Sequence, residues 1–585
     1  MKMKNLRNKL IGLIQAVNRY PLTMLFLLAI ATVNVNMINN ETEDYLKYLF
    51  TFIVGALLSV IGQQVYERFF TKVSERVMLI VGSVLLATGY YFAIQSASTF
   101  NLEIGTKTAV SIFALMIAFI WIPAIKSRVT FNEGFMSAFK AFFLTVLFSS
   151  VLAVGLNLIL FAIDQLLFSM NYKVNAHIMN ILCSLFAPIF FLSYTPPFPG
   201  KKDIILSDQE EKVKKAITCP KTLGILISFI IIPLTAVYTI ILLAYTILNI
   251  RGDFWTNNLL EPMLVSYAIT VILVYILASH LEDKFATLFR KVFPKILIPI
   301  VLFQTVASIL KISEIGNTYG RYYAIMFGIF ALVAGIVFSF FPVKKNGLIA
   351  SVLIVFSTIS IIPPVDAFTV AKVSQVNLLK RTLVENDMLQ NGKVVPNSDI
   401  SIGDKKTITR TVSYLDNLNY LDEIDWLPEK IFYYDKFNKT FGFEETYDQT
   451  SDRTEGKFAH LDWNRSPVVN IENYDRLIHL YFQDSQTDLK IPIEIDNKPY
   501  SLKNDSENLI LIDEKQEIFR FDMKKAIDQI FENQLVSDSG KDMLTTEKLM
   551  VTQENDKVKM TILATSVDNY GSQYNADIFV FLKIK

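Results

Sequence analysis

The sequence predicts a polytopic α-helical membrane bundle of about eleven transmembrane helices, followed by an extracytoplasmic α+β domain with a mainly antiparallel sheet. Three observations carry this prediction. About half of the 585 residues are hydrophobic. The long apolar runs fall within residues 20–365, whereas residues 366–585 alternate charged and apolar residues as water-soluble domains do. Residues 346–365 carry no charge, and as a helix they would just cross a bilayer core of roughly 30 Å before Pro363 and Pro364 end it.

The first nineteen residues form a basic arm. Residues 1–19 contain five Lys and Arg residues and no acid. Leu6, Leu10, Ile14 and Val17 recur at helical spacing, which predicts a short amphipathic helix on the cytoplasmic membrane surface.

Eleven apolar runs then predict the membrane helices. The run at residues 222–250 is the longest, and Pro233 predicts a bend within it. The runs cover approximately residues 20–37, 46–66, 77–98, 106–125, 141–168, 174–196, 222–250, 262–281, 292–311, 319–342 and 347–365.

The loop charges predict the orientation. With a cytoplasmic N-terminus, about 23 Lys and Arg residues fall on the inner side and about six on the outer side. An odd number of helices then places residues 366–585 outside the cytoplasm. We therefore expect a multi-pass protein of the bacterial plasma membrane, with the lipid bilayer as its first partner.

The outer domain, residues 366–585, begins with a predicted helix at residues 371–389 and a turn at Asn391-Gly392. A second helix is predicted at residues 523–533. Period-two alternation predicts strands at residues 467–471, 477–482, 489–495, 509–512, 518–521, 549–552, 558–564 and 578–584.

Composition excludes several classes of function. The net charge of +1 leaves no basic footprint for a nucleic-acid partner. Cys183 and Cys219 have no Cys-x-x-Cys partner, and the four histidines form no His-x-x-x-His pair, so we predict no metal site. The sequence contains no nucleotide or dinucleotide motif, and no cofactor is expected.

The first outer loop carries the only candidate catalytic residues. Glu41, Glu43 and Asp44 follow the first membrane helix. Polytopic glycosyltransferases that use lipid-linked sugars have a similar plan, with an essential acid in this loop that acts as a base or metal ligand. The alternative is a solvated loop, which tolerates acidic residues freely.

A second set of polar residues lies near the outer ends of the predicted helices. Ionisable groups at membrane depth are costly and usually face a partner or the bundle interior. The hypothesis is an outward-facing polar pocket in which Arg321 and Asp164 pair; the alternatives are snorkelling side chains and an aromatic belt. The candidate ligand-binding residues are Asp164, His177, Arg251, Asp253, Trp255, Arg321 and Tyr322.

Several stretches resemble a family of bacterial multi-pass membrane proteins, domain of unknown function 4153. Where the family usually has an acid three residues after its glycine and then an asparagine, this chain has Tyr319 and Gly320. The resemblance supports the architecture and implies no known activity. It rests on Leu242–Leu248 with Gly252–Trp255, Gly316–Tyr322, Pro364–Val370, Ser374-Gln375 and Asn391–Lys393.

Three functions remain open at this stage. The first is binding or transport of a cell-envelope ligand through the polar pocket under the outer domain. The second is an envelope enzyme acting on a lipid-linked substrate, and the third is an envelope sensor or scaffold that recognises a cell-wall component. The sequence does not decide the oligomeric state.

Overall fold

The computed structural model forms two compact units, Met1–Tyr447 and Asp448–Lys585. The first unit holds the membrane helices and also residues 366–447, which the sequence analysis assigned to the outer domain. The described residues are 12–42, 45–95, 101–200, 207–249, 260–428, 431–432, 436–447, 457–461, 468–483, 490–505, 507–514, 516–535, 543–570 and 573–585.

The described part of the first unit is helical apart from one short hairpin. Its helices are α1 (12–19), α2 (Pro21–Asn40), α3 (Leu46–Phe69), α4 (Val73–Gln95), α5 (Leu102–Trp121), α6 (Phe131–Leu166), α7 (Lys173–Ile181), α8 (Ala187–Ser193), α9 (Ser207–Ile217), α10 (Lys221–Leu226), α11 (Ile232–Asn249), α12 (Leu260–Leu277), α13 (Lys284–Leu310), α14 (Ile312–Ile315), α15 (Tyr319–Phe340), α16 (Gly347–Ile359), α17 (Ala367–Glu385), α18 (Ile402–Asn417) and α19 (Lys436–Phe441).

Nine helical segments among the described residues are long and apolar enough to cross a membrane. They are α2, α3, α4, α5 with the turn that follows it, α6, α7 with α8, α9 to α11, α13 and α15. The predicted count of about eleven is not confirmed, because α12 is a shorter apolar helix and α16 has only 13 residues. Thirteen helical residues rise about 20 Å, less than a bilayer core.

Helix α16 ends earlier than the apolar pattern predicts. It ends at Ile359, and the carbonyl of Ser360 then accepts a hydrogen bond from the backbone N–H of Ala367 at 3.1 Å. The chain turns within these few residues, and Asp366 caps α17 by accepting from the N–H groups of Phe368 and Thr369 at 3.1 and 3.2 Å. A hydrogen bond across this turn and the N-cap of α17 therefore mark the boundary between the two helices.

Two membrane segments contain a π-helical turn at the same distance from a proline. The turns Leu182–Phe186 and Ile227–Ile231 each end two residues before a proline, Pro188 and Pro233. Proline has no N–H and its ring crowds the carbonyl four residues earlier, and a wider turn relieves that crowding. The irregularity predicted at Pro233 thus takes the form of a π turn.

Residues 366–447 form a small helical layer beside the start of α15. Helix α17 packs on α18, and Leu379, Leu383 and Ile408 are fully buried between them. The predicted turn at Asn391-Gly392 is present, with positive φ at both residues, and joins β1 (Leu389–Gln390) to β2 (Lys393–Val394).

The second unit contains two sheets around one hydrophobic core, and nearly all of its strand pairs are antiparallel. Helix α20 (Met523–Leu535) packs against the same core, followed by the short α21 (Thr546–Leu549). The predicted strand at residues 467–471 is absent from its described part, 468–471. The strands are β3 (Lys457–Leu461), β4 (Arg476–Gln483), β5 (Lys490–Ile495), β6 (Lys498–Asp505), β7 (Asn508–Asp513), β8 (Gln516–Asp522), β9 (Met543–Leu544), β10 (Met550–Glu554), β11 (Val558–Tyr570) and β12 (Gln573–Ile584).

The strand orders confirm the mainly antiparallel sheet. Strands β5 to β8 form a four-stranded meander. The other sheet has the order β4-β12-β11-β3-β9, with β10 paired to β11, and among the described strand pairs only β3 and β9 run parallel.

Candidate functional site

Glu41 lies where α2 ends and holds an ion pair across to the start of α7. Its carboxylate is 2.8 Å from the ammonium of Lys173 and accepts a hydrogen bond from the Tyr172 hydroxyl. These hydrogen bonds, that from Lys173 first, hold the pKa of Glu41 below its ordinary value. A carboxyl with a lowered pKa is a poor general acid. The other two acidic candidates, Glu43 and Asp44, lie outside the described residues.

His177 belongs to the same helix contact. Its Nε2 lies 3.1 Å from the side-chain oxygen of Asn39, and the ammonium of Lys173 donates to the carbonyl of Asn39 at 3.0 Å. The structure therefore brings Glu41 and His177 to one α2–α7 junction. The sequence analysis had assigned them to different candidate sites.

A neutral polar cluster continues from this junction into the membrane segment. The amide nitrogen of Asn34 donates to the side-chain oxygen of Asn180 at 3.0 Å and to the hydroxyl of Ser184 at 3.2 Å. Ser184 donates to the same oxygen of Asn180 at 2.7 Å, and the amide nitrogen of Asn180 donates to the carbonyl of Ala31 at 2.8 Å. We call Asn34, Asn180 and Ser184 the amide cluster.

Asp164 and Arg321 have separate partners. The carboxylate of Asp164 accepts from the backbone N–H of Met170 at 2.7 Å and from the amide of Gln165 at 3.2 Å. Arg321 is buried and donates to the carbonyl of Gly316 at 2.9 Å. Among the described residues, these two side chains do not form the ion pair that the polar-pocket hypothesis requires. Arg251, Asp253 and Trp255 lie outside the described residues.

The segments that carry the family resemblance meet around the loop before α15. The backbone N–H of Asn317 donates to the Ser374 hydroxyl at 2.8 Å, and the amide of Gln375 donates to the carbonyls of Ile315 and Asn317 at 3.2 and 3.1 Å. Gly316 has a φ of +70°, and a Cβ there would lie 2.6 Å from the Gln375 amide nitrogen. Glycine is therefore required at this close approach.

Aromatic residues at the start of α15 contact the same helical layer. The Tyr322 hydroxyl donates to the carbonyl of Val365, so this predicted ligand-binding residue holds the chain just before α17. Tyr319 stacks on Phe368 with ring centroids 4.9 Å apart, and its N–H donates to the Tyr414 hydroxyl at 3.0 Å. These contacts give Tyr319 and Tyr322 a structural role in attaching residues 366–447 to the bundle.

A partly buried ionic cluster joins α5 to this helical layer. The ammonium of Lys107 lies 2.7 Å from the carboxylate of Glu103 and 3.0 Å from that of Asp366, which has no exposed surface. Glu103 also accepts from the Tyr420 hydroxyl at 2.7 Å. We call Glu103, Lys107, Asp366 and Tyr420 the ionic cluster.

Two members of the ionic cluster lie outside the membrane segments, and their surroundings shift the pKa of each. Burial by itself would raise the pKa of Asp366, but hydrogen bonds from Thr369 and Lys107 outweigh it and lower that pKa. Burial and the hydrogen bond to Glu103 raise the pKa of Tyr420, so its hydroxyl stays protonated and donates. This cluster was not predicted from the sequence. Its only signals were the i,i+4 spacing of Glu103 and Lys107 and the N-cap position of Asp366.

A large cavity in the bundle is apolar. It has a volume of about 970 Å³ and is lined by α2, α3, α5, α6, α8, α12, α15 and α16. Its apolar walls include Phe113, Phe142, Ile272 and Leu353. On one side it is also lined by Asn34 and Ser184 of the amide cluster. Its volume is near the top of the range of roughly 300–1,000 Å³ that is usual for ligand pockets.

Acidic, cysteine and histidine side chains do not gather into a metal-binding group of three anywhere in the described part of the chain. Among the described residues, nine membrane-spanning candidates, a cavity within the helical bundle and a β-rich C-terminal unit define a polytopic membrane protein with a water-soluble C-terminal domain. The chain belongs to the family Domain of unknown function (DUF4153), whose model matches residues 22–396. Comparisons with curated proteins and with solved structures gave no match.

Proposed function

We propose that the protein binds a ligand with a long apolar chain in the cavity of its membrane bundle, as a step in binding or transporting a cell-envelope lipid. One observation carries the proposal, the cavity of about 970 Å³ among the membrane helices. A well-packed bundle leaves few voids larger than a water molecule, so a cavity of this size with apolar walls fits an apolar occupant.

This proposal differs from the polar pocket expected from the sequence. Asp164, Arg321 and His177 each engage neighbouring protein groups. The cavity instead lies among residues from the middle of several helices, such as Leu27, Ile112 and Phe330. A ligand could enter such a site from the bilayer.

The proposed orientation follows the loop charges, with about 23 Lys and Arg residues on the cytoplasmic side against about six outside. The C-terminal β-rich unit then faces the cell envelope of a bacterium. Here it would present or receive a ligand that leaves the membrane.

The proposal predicts that a long-chain probe labels the cavity walls. Purified full-length protein is irradiated with hexadecanol that carries a diazirine at mid-chain, and the labelled peptides are identified by mass spectrometry. We expect labels on peptides containing Phe113, Phe142 or Leu353. Leu353→Trp fills the cavity and should remove most of that labelling.

Leu348→Trp is the matched control, because Leu348 is on the same helix, is about half exposed and does not line the cavity. This variant should label as the wild type does. Equal labelling of Phe113 and Phe142 peptides in both tryptophan variants, each monodisperse in detergent, would show that the cavity does not hold the chain.

A further inference from the structure

The cavity lining includes the polar residue Thr23, whose hydroxyl is paired with that of Ser59 at 2.7 Å, and a second polar region where a membrane helix changes its geometry. Asn34 and Ser184 both line the cavity, and Ser184 lies within the π turn Leu182–Phe186. π turns inside α-helices occur frequently at functional sites. Polar groups at membrane depth are expensive, and they commonly mark a substrate path.

Among the acceptor atoms of the amide cluster, Asn34 Oδ1 is the one that receives no hydrogen bond from the described residues. Asn34 uses its amide nitrogen for Asn180 and Ser184 at 3.0 and 3.2 Å, and in the described part of the chain its Oδ1 accepts no hydrogen bond. Turning the Asn34 amide over would place two oxygens together, because Asn180 Oδ1 already accepts from Ser184. Asn180 is itself oriented by donation to the carbonyl of Ala31. The network thus fixes Asn34 Oδ1 as the free acceptor.

The remaining walls limit the charge of the ligand. None of the described residues that line the cavity is Asp, Glu, Lys, Arg or His. An ionised carboxylate or phosphate inside it would therefore be uncompensated, which is strongly unfavourable. A hydroxyl is neutral and can donate one hydrogen bond to Asn34.

We propose that the cavity is selective for a neutral lipid with a hydroxyl group, whose O–H donates to Asn34 Oδ1 while its chain fills the apolar space. This inference rests on the proposed function, because it names the ligand class of the same cavity. The shared chemistry is a hydroxyl beside a long hydrocarbon, as in a single-chain alcohol or a diacylglycerol.

The test is a competition against the diazirine hexadecanol probe on the purified full-length protein. Hexadecanol, hexadecyl methyl ether, hexadecanoate and dioleoylglycerol are compared. We expect hexadecanol to compete about fivefold better than its methyl ether, the factor that one net hydrogen bond gives. Hexadecanoate should compete least at neutral pH. Comparing hexadecanol with dioleoylglycerol separates the single-chain source from the two-chain source.

Asn34→Leu should bind the alcohol and the ether equally. Asn157→Leu is the matched control, because Asn157 is also within a membrane helix, donates to Ala153 and does not line the cavity. This control should keep the fivefold preference. If Asn34→Leu does not fold, the wild-type protein is labelled with a second probe whose diazirine lies beside the hydroxyl. The proposal predicts that this probe labels peptides containing Asn34 or Ser184.

The outcomes separate the two proposals. Equal competition by alcohol and ether on the wild type, with labels still on Phe113 and Phe142 peptides, overturns the role of Asn34 and leaves the cavity proposal standing. Loss of specific labelling by every long-chain probe overturns both.

Discussion

The amide cluster and the ionic cluster bury polar groups in opposite ways. The amide cluster joins α2 to the segment of α7 and α8 with neutral groups alone, and Asn34 lies roughly 9 Å along the axis from the end of α2. The ionic cluster uses three charges, and it joins the first turns of α5 to Asp366 at the N-terminus of α17. Neutral groups thus connect helices within the membrane segments, whereas charged groups attach residues 366–447 to the end of a membrane helix.

The largest expected effect comes from removing the cation of the ionic cluster. Lys107→Met leaves the buried Asp366 carboxylate without its ammonium partner. Breaking a buried ion pair typically costs 3–5 kcal/mol, and because Lys107 is partly exposed we expect a loss of about 2–3 kcal/mol in the stability of the first unit. The melting temperature of the full-length protein in detergent measures this loss.

Lys380→Met on α17 is the matched control, since Lys380 is exposed, and it should change stability by no more than about 0.5 kcal/mol. Adding Asp366→Asn to Lys107→Met should restore part of the lost stability, because the uncompensated charge is then gone. If Lys107→Met melts like the Lys380→Met control, the ionic cluster does not stabilise the attachment.

The next expected effect is smaller and concerns how the stabilisation by Asp366 depends on pH. The pKa of Asp366 is lowered in the folded protein, so its charge stabilises the fold above its unfolded pKa of about 3.9. That contribution is lost as the pH falls through the lower folded pKa. The gap in melting temperature between the wild type and Asp366→Asn should therefore shrink below about pH 4.

Asn34→Leu supplies the contrast, because the amide cluster has no titrating member. Its difference from the wild type should not change as the pH falls. A gap for Asp366→Asn that is constant from about pH 7 to about pH 3 would contradict the assignment of a stabilising charge to this residue.

The sequence predicted the helices and strands that depend on local hydropathy and alternation. Hydropathy predicted eleven membrane helices, nine of which coincide with described helical segments long enough to cross a membrane, and alternation located most of the strands in the C-terminal unit. Helix α16 was predicted too long, since a hydrogen bond between Ala367 and Ser360 helps to set its end. Strand β6 was missed because Lys498–Asp505 contains few apolar residues, and pairing with β5 and β7 defines it.

The candidate sites depended on helix neighbours, which one sequence does not show. Neither Lys107 nor Asp366 was among the candidate site residues, although the two side chains lie 3.0 Å apart. His177 was predicted as a ligand-binding residue, and the structure places it against Asn39. Contacts between distant segments decided each of these outcomes.

The smallest expected effect is the coupling energy between Asp164 and Arg321, two residues of opposite charge that do not contact each other. Arg321→Ala removes a buried side chain and its bond to Gly316, so it should destabilise clearly. Asp164→Ala removes acceptors for Met170 and Gln165 at the end of α6, which we expect to cost about 0.5–1 kcal/mol.

Because their contacts are separate, the double mutant should equal the sum of the singles to within about 0.5 kcal/mol, measured as unfolding free energies of the full-length protein. A coupling above about 1 kcal/mol would mean that the two charges do interact, as the polar-pocket hypothesis required. Residue types and predicted depth in the membrane would then be enough to identify interacting polar residues. The amide and ionic clusters, in which interacting side chains are in direct contact, would not be a general guide.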